Sequence, residues 1–147
     1  MAIRGDGDHL AAYRAMIEQA DREVCIFTGR ADREYQDDFL DAACLFLAAS
    51  GHHLQLACQC GHEIITCKII EELAEAAKIG GSRLTVRDAN HYSGMPYFMV
   101  ADGSGYRLEL PGQDTTFVDY GDIDRAVAFR HVYDRIAARS PIAVEVG

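Results

Sequence analysis

Pro96-Tyr97-Phe98-Met99-Val100-Ala101-Asp102-Gly103-Ser104-Gly105-Tyr106-Arg107-Leu108-Glu109-Leu110 is the stretch on which the fold turns. Two apolar runs flank Asp-Gly-Ser-Gly, residues that accept positive φ or hydrogen-bond their own backbone, so the pattern predicts a β-hairpin over 97–110. The first arm is almost continuously apolar, as a central strand covered on both faces would be. The second arm alternates, with Tyr106, Leu108 and Leu110 on one side and Arg107 and Glu109 on the other.

Upstream of the hairpin, helix and strand patterns alternate. A helix is predicted from Asp8 to Arg22, with Leu10, Tyr13, Ile17 and Ala20 on one face. Glu23 to Thr28 reads as a buried strand stopped by Gly29. Arg30 to Gln36 is a polar loop, and Gln36 to Ser50 is a second helix with a broad apolar stripe, stopped by Gly51. His53 to Cys58 is the second strand, Ile64 to Lys78 a third helix ended by Gly80-Gly81, and Arg83 to Arg87 the third strand. After the hairpin, Pro111 to Asp119 reads as loop or short extension. Asp122 to Ala138 reads as a helix burying Ile123, Ala126, Val127, Val132, Tyr133 and Ile136, and Ile142 to Val146 as an edge strand. Strands separated by helices imply right-handed parallel crossovers, and the hairpin adds antiparallel partners. The expected fold is α/β: a mixed, mostly parallel sheet with helices on both faces, in one domain spanning 1–147.

Composition narrows the function classes. The chain has 147 residues, 49% hydrophobic and 25% charged, with a formal net charge of −9, which argues against a nucleic-acid binder because such proteins carry a basic face. No apolar run approaches the roughly 18 residues of a membrane span. The chain opens on Met1-Ala2-Ile3-Arg4-Gly5-Asp6 without the features of a signal peptide. With an odd count of 5 cysteines, this points to a cytoplasmic protein with reduced thiols. The Ala/Arg/Asp/Gly-rich composition suggests a bacterial source.

Val24 to Gly29, Phe39 to Gly51, Leu54 to Cys60, Leu84 to Arg87 and above all Tyr97-Phe98-Met99-Val100-Ala101-Asp102-Gly103 together resemble one half of a phospholipase D-like domain. In that family an apolar strand carries the signature His-x-Lys-x4-Asp, the next strand forms a hairpin with it, and a helix follows. With Asp102 in the Asp position, Met95 stands at the His position and Tyr97 at the Lys position. The family chemistry uses an imidazole as nucleophile toward phosphorus and an ammonium to stabilise phosphate oxygens, and a thioether and a phenol supply neither. Tyr106-Arg107-Leu108-Glu109 also stands where the family has Gly-Ser/Gly-x-Asn. The resemblance therefore implies the fold and withholds the activity. Because two such halves pack about a two-fold axis in the family, it also implies a homodimer.

Ligands of parallel sheets sit outside the carboxyl ends of the strands. Those ends bring Arg30, His62, His91, Tyr97 and Glu109 into consideration as a ligand site, with Arg and two His suited to an anionic, phosphate-bearing group or nucleotide. The bland alternative is that loops collect polar residues anyway. Cys58, Cys60, His62 and Cys67 are ligand types for zinc, but their spacing is poor, and buried thiols filling a core explain them more simply. Cys25 and Cys44 read as core. Cys60 with His62 and Asp88 would be a thiol nucleophile set. The expectation is thus a non-catalytic binding or regulatory module with no cofactor. The alternatives are a phosphodiesterase or other hydrolase using His62, His91 and Cys60, or a small metal-binding protein. His52 is expected to sit against the second helix's C-terminus, and the acidic runs Asp37-Asp38-Asp41 and Asp119 to Asp124 to cap helices.

Overall fold

The computed structural model describes residues 2–4, 14–29, 37–59, 68–90, 92, 95–109 and 115–147, and for 2–4, 37–39, 115 and 116 the backbone alone. The strands are β1 (Ala2–Arg4), β2 (Glu23–Thr28), β3 (His53–Cys58), β4 (Arg83–Asp88), β5 (Tyr97–Ala101), β6 (Gly105–Glu109), β7 (Thr115–Asp119) and β8 (Ile142–Val146). Residues 14–19 are helical (α1), followed by α2 (Asp37–Ala48), α3 (Lys68–Gly80) and α4 (Ile123–Ala138). The strands form one sheet in the order β1-β7-β6-β5-β2-β3-β4-β8. Only β2-β3 and β3-β4 pair in parallel; the other five pairings are antiparallel. The sheet is therefore mixed as expected, but its parallel part is a three-strand centre inside antiparallel flanks.

The two parallel crossovers share one hand, so α2 and α3 fall on the same face. There Val24, Ile26, Leu54, Leu56, Leu84, Val86 and Met99 meet Met16 and Ile17 of α1, Ala43 and Leu47 of α2, and Ile70, Leu73 and Ala77 of α3. On the other face α4 lays Ala126, Tyr133 and Ile136 on Cys25, Phe27, Ala57, Phe98 and Val100. Successive residues of β2 and β5 thus supply opposite cores, which is why both strands read as unbroken apolar runs.

The hairpin forms in the expected register, Tyr97 opposite Glu109 and Ala101 opposite Gly105. Asp102 and Gly103 take φ of 53° and 71°, positive at both central residues of the turn, and Ser104 N–H donates to Ala101 O at 3.1 Å. The Asp102 carboxylate accepts from three successive backbone N–H groups, those of Asp21 (2.7 Å), Arg22 (2.9 Å) and Glu23 (2.9 Å). This corrects the first helix. It was expected to reach Arg22 but ends at residue 19, because the N–H groups of residues 21–23 are turned to the hairpin. Its expected start lies outside the described residues.

Other boundaries shift for similar tertiary reasons. Thr115–Asp119, expected as loop or short extension, is a strand between β6 and β1. α3 continues to Gly80, and Gly81 turns out of it at φ 68°; residues 64–67 of the expected helix lie outside the described ones. Ile123 and Val127, expected to be buried, are exposed, because α4 turns Ala126, Tyr133 and Ile136 inward instead. The capping expectation for the start of α4 holds, as does that for His52 at the end of α2, whereas the side chains of Asp37 and Asp38 lie outside the described residues. Asp122 accepts from Arg125 N–H at 3.1 Å as N-cap of α4, and Asp119 Oδ1 accepts from Gly121 N–H (2.8 Å) and Asp122 N–H (2.9 Å). His52 stacks on Phe46, and its Nδ1 lies 2.7 Å from the Phe46 carbonyl in the last turn of α2. β8 pairs antiparallel with β4 as the edge strand foreseen. Among the described residues no helix is long and apolar enough to cross a membrane.

Candidate functional site

β5 runs antiparallel to β2, so it begins beside the carboxyl end of the parallel strands and ends beside their amino end. Phe98 is registered with Phe27, and Ala101 with Val24. Met95 and Tyr97 therefore stand at the edge where ligands of such sheets sit, and Asp102 stands at the opposite edge. A five-residue strand separates them by about 17 Å at 3.3 Å per residue.

Around Tyr97 the edge is aromatic and tightly tied. The Tyr97 hydroxyl donates to Gln59 Oε1 at 3.1 Å, just past the end of β3. Phe27 meets the Tyr97 ring edge-on at 5.8 Å between centroids and the Tyr92 ring at 6.5 Å. Met95, Tyr92 and Tyr97 all pack on the core beneath α4. The backbone is pinned in turn: Gln59 N–H donates to Gly29 O at 3.0 Å, and Ala89 N–H to Cys58 O at 2.8 Å.

Glu109 stands directly opposite Tyr97 in the hairpin register. Its carboxylate lies 3.4 Å from Nη2 of Arg107, whose side chain is 1% exposed. The sequence pattern set Arg107 opposite Tyr106 and Leu108, as a polar face would be. The sheet is covered on both sides, so that face is interior, and a guanidinium is drawn inside with a carboxylate two residues on. The Arg-x-Glu spacing on a strand, which puts both groups on one face, was the readable signal for this pair.

Of the expected ligand residues, the structure thus brings Tyr97 and Glu109 together; Arg30, His62 and His91 lie outside the described residues. Of the expected zinc ligands, Cys58 is fully buried in the core with Leu54 and Leu56, whereas Cys60, His62 and Cys67 lie outside the described residues. No cluster of metal-ligating side chains occurs among the described residues. Cys25 is buried as expected, and Cys44 is half-buried. Burial, and then the Asp134 carboxylate, pushes the Cys25 thiol far up. Its sulfur receives Arg130 Nη1 at 3.0 Å. Arg130 also pairs with Glu23, which accepts from Gln55 Nε2 at 2.9 Å.

No protein-family model matches the chain, and no curated protein does. Solved structures do. One is a phospholipase D family member, Nuc from Salmonella typhimurium, with a TM-score of 0.69 at 11% identity, covering 97% of each chain. Another is TrmBL2, an archaeal chromatin protein with a novel mode of DNA binding, with a TM-score of 0.65 at 14% identity. That match covers 95% of this chain and 52% of TrmBL2, so the chain spans about half the length of that protein. At these identities the likeness is one of fold, and the fold is phospholipase D-like.

Proposed function

We propose that this chain is a non-catalytic phospholipase D-like binding module, homodimeric, which takes a small phosphate-bearing ligand or nucleotide at the carboxyl edge of its central strands. The observation that carries the reading is the start of β5. A thioether and a phenol occupy the edge where a nucleophile and a cation would act, and the phenol is engaged with Gln59. Met95 can neither attack phosphorus nor stabilise its oxygens, and the Tyr97 phenol brings no positive charge to stabilise them as an ammonium does. Arg30, His62 and His91 are the sequence's cationic candidates for holding the anion there. The net charge of −9 favours a small ligand over a nucleic-acid backbone, whose binding draws on accumulated positive charge.

The test pairs turnover with binding. Purified protein incubated with bis(4-nitrophenyl) phosphate is expected to release no nitrophenolate above the buffer rate. Calorimetric titration with inorganic phosphate and with AMP is expected to show binding of at least one, weakened more than about tenfold in an Arg30→Ala/His62→Ala double variant, as loss of charge-assisted hydrogen bonds requires. Turnover that disappears in His62→Ala would replace this reading with a hydrolase using His62. Binding unchanged in the double variant would remove the anion site. Sedimentation equilibrium tests the dimer, and a monomer at tens of micromolar would refute it.

A further inference from the structure

Above the outer strands, away from the end of β3 that holds Gln59, the described residues leave a groove of about 360 Å³ between α4 and the β6-β7 pair. Its lining is Tyr106, Leu108, Phe117, Arg125, Ala128 and Phe129. Leu108 and Phe117 are a registered cross-strand pair and form the floor. The wall is the Phe129 ring, 5.1 Å from that of Tyr106 and 5.4 Å from that of Phe98, which fixes its orientation. Ala128 lines the groove with a single methyl group, where a longer side chain would fill it.

The polar groups gather at Tyr106. Arg125 Nη1 donates to the Tyr106 hydroxyl oxygen at 3.2 Å. A hydroxyl that accepts still has its own proton to give, and no acceptor takes it among the described residues. A guanidinium and a phenol O–H therefore stand together beside an apolar trough, two donors suited to one carboxylate. Asp122 lies 3.5 Å from Arg125 Nε, and Asp119 also acts on this guanidinium. Beside those two carboxylates a dianionic phosphate is disfavoured more strongly than a monoanion, because repulsion grows with the ligand's charge. The volume sits at the small end of ligand pockets, which run from about 300 to 1,000 Å³ and are mostly apolar with a few placed polar groups.

We infer that this groove is a binding site for a small amphiphilic monocarboxylate, a medium-chain or aryl carboxylic acid. Its apolar body lies on Leu108, Phe117 and Phe129, and its carboxylate on Arg125 and the Tyr106 hydroxyl. The inference goes beyond the proposed function and does not depend on it, since it uses none of Arg30, His62, His91 or Tyr97.

Titration with octanoate, 1-octanol and octyl phosphate tests it on the intact chain. Octanoate is expected to bind about tenfold more tightly than octanol, the worth of one charge-assisted contact, and more tightly than octyl phosphate. Arg125→Met is expected to erase the preference for octanoate over octanol while leaving octanol binding in place. Tyr106→Phe, which removes only the hydroxyl, is expected to weaken octanoate by about three- to tenfold. Ala128→Phe is expected to abolish binding of all three, with a cooperative thermal transition showing that the variant folds; Ala128→Leu serves if it does not. Absence of octanoate binding, equal binding of octanoate and octanol, preference for octyl phosphate, or octanoate binding indifferent to the filled groove each overturns the proposal. So does a change of oligomeric state on filling the groove, which would mark it as the seat of a second copy of the chain.

Discussion

Asp102 shows how one side chain can carry a fold-level task. Its carboxylate gathers the N–H groups of Asp21, Arg22 and Glu23, and its own N–H donates to Glu23 O at 2.9 Å. Three donors converging on one anion make a small backbone nest, and the site ties the hairpin turn to the start of β2. Hydrogen bonds to charged groups contribute about 1.5–3 kcal/mol each when buried, and this group is partly exposed and its bonds are not additive. Asp102→Gly, which keeps the backbone free at φ 53°, is expected to cost about 2–4 kcal/mol in urea unfolding. Asp102→Ala is expected to cost about 1 kcal/mol more, because a Cβ is strained in the left-handed region. A loss under about 0.5 kcal/mol for Asp102→Gly, within the range of ordinary surface substitutions, would show that the nest does not hold the turn.

At the scale of elements, the end of α3 presses closely on the end of α2 at Gly80. A Cβ on Gly80 would run into Leu47 O and lie 2.6 Å from Ala48 Cα, both backbone atoms that cannot swing aside. Ser82 Oγ locks the same junction, donating to Ala49 O at 2.6 Å and accepting from His52 N–H at 3.3 Å. In an exposed helix Gly→Ala would stabilise by about 1 kcal/mol. Here Gly80→Ala is expected to destabilise by about 1–3 kcal/mol or more, as overpacking does. Gly81→Ala, with open space around its Cβ position but φ at 68°, is expected to cost about 1 kcal/mol through strain alone. Thermal unfolding of the two variants separates these causes, and equal losses would refute the steric account. At the far side of the sheet Arg87 Nη1 donates to Ala137 O and Ser140 O, both at 3.0 Å, giving the end of α4 partners for carbonyls the helix leaves free.

Across the whole molecule, α4 and the side chains beside it leave a polar band at the amino end of β2, β3 and β4. His53 there has Nε2 3.0 Å from Thr85 Oγ1 and Nδ1 3.5 Å from Glu23. Glu23 is already engaged by Arg130 and Gln55. Burial and then Arg83 lower the His53 pKa below its ordinary 6.5, against the pull of Glu145. The folded state therefore prefers the neutral imidazole, and the unfolded state binds the extra proton. His53 contributes stability that is full above about pH 6.5 and is lost as pH falls toward its folded value. Chemical denaturation from pH 7.5 to 5 is expected to show stability dropping more steeply in the parent than in His53→Gln. Parallel curves would rule out His53 as the source.

The sequence alone determined the α/β class, the hairpin and its turn, the buried central strands and the helix caps at Asp122 and His52. Each is written in local patterns: period two or 3.6, turn residues and charge at helix ends. Even the Met95 and Tyr97 positions were legible, because an eight-residue motif that runs along one strand and its two ends keeps its spacing in space. Tertiary structure decided what lies opposite what. It ended α1 at residue 19 to feed the Asp102 nest, made a strand of Thr115–Asp119 by giving it β6 and β1 as partners, and buried Arg107 by covering a face that alternation had marked as polar. It also joined Tyr97 to Gln59 and set Arg125 against Tyr106, contacts between residues 38 and 19 positions apart. Local sequence specifies which backbone conformation a segment prefers; partners brought by the rest of the chain specify which of its faces is inside.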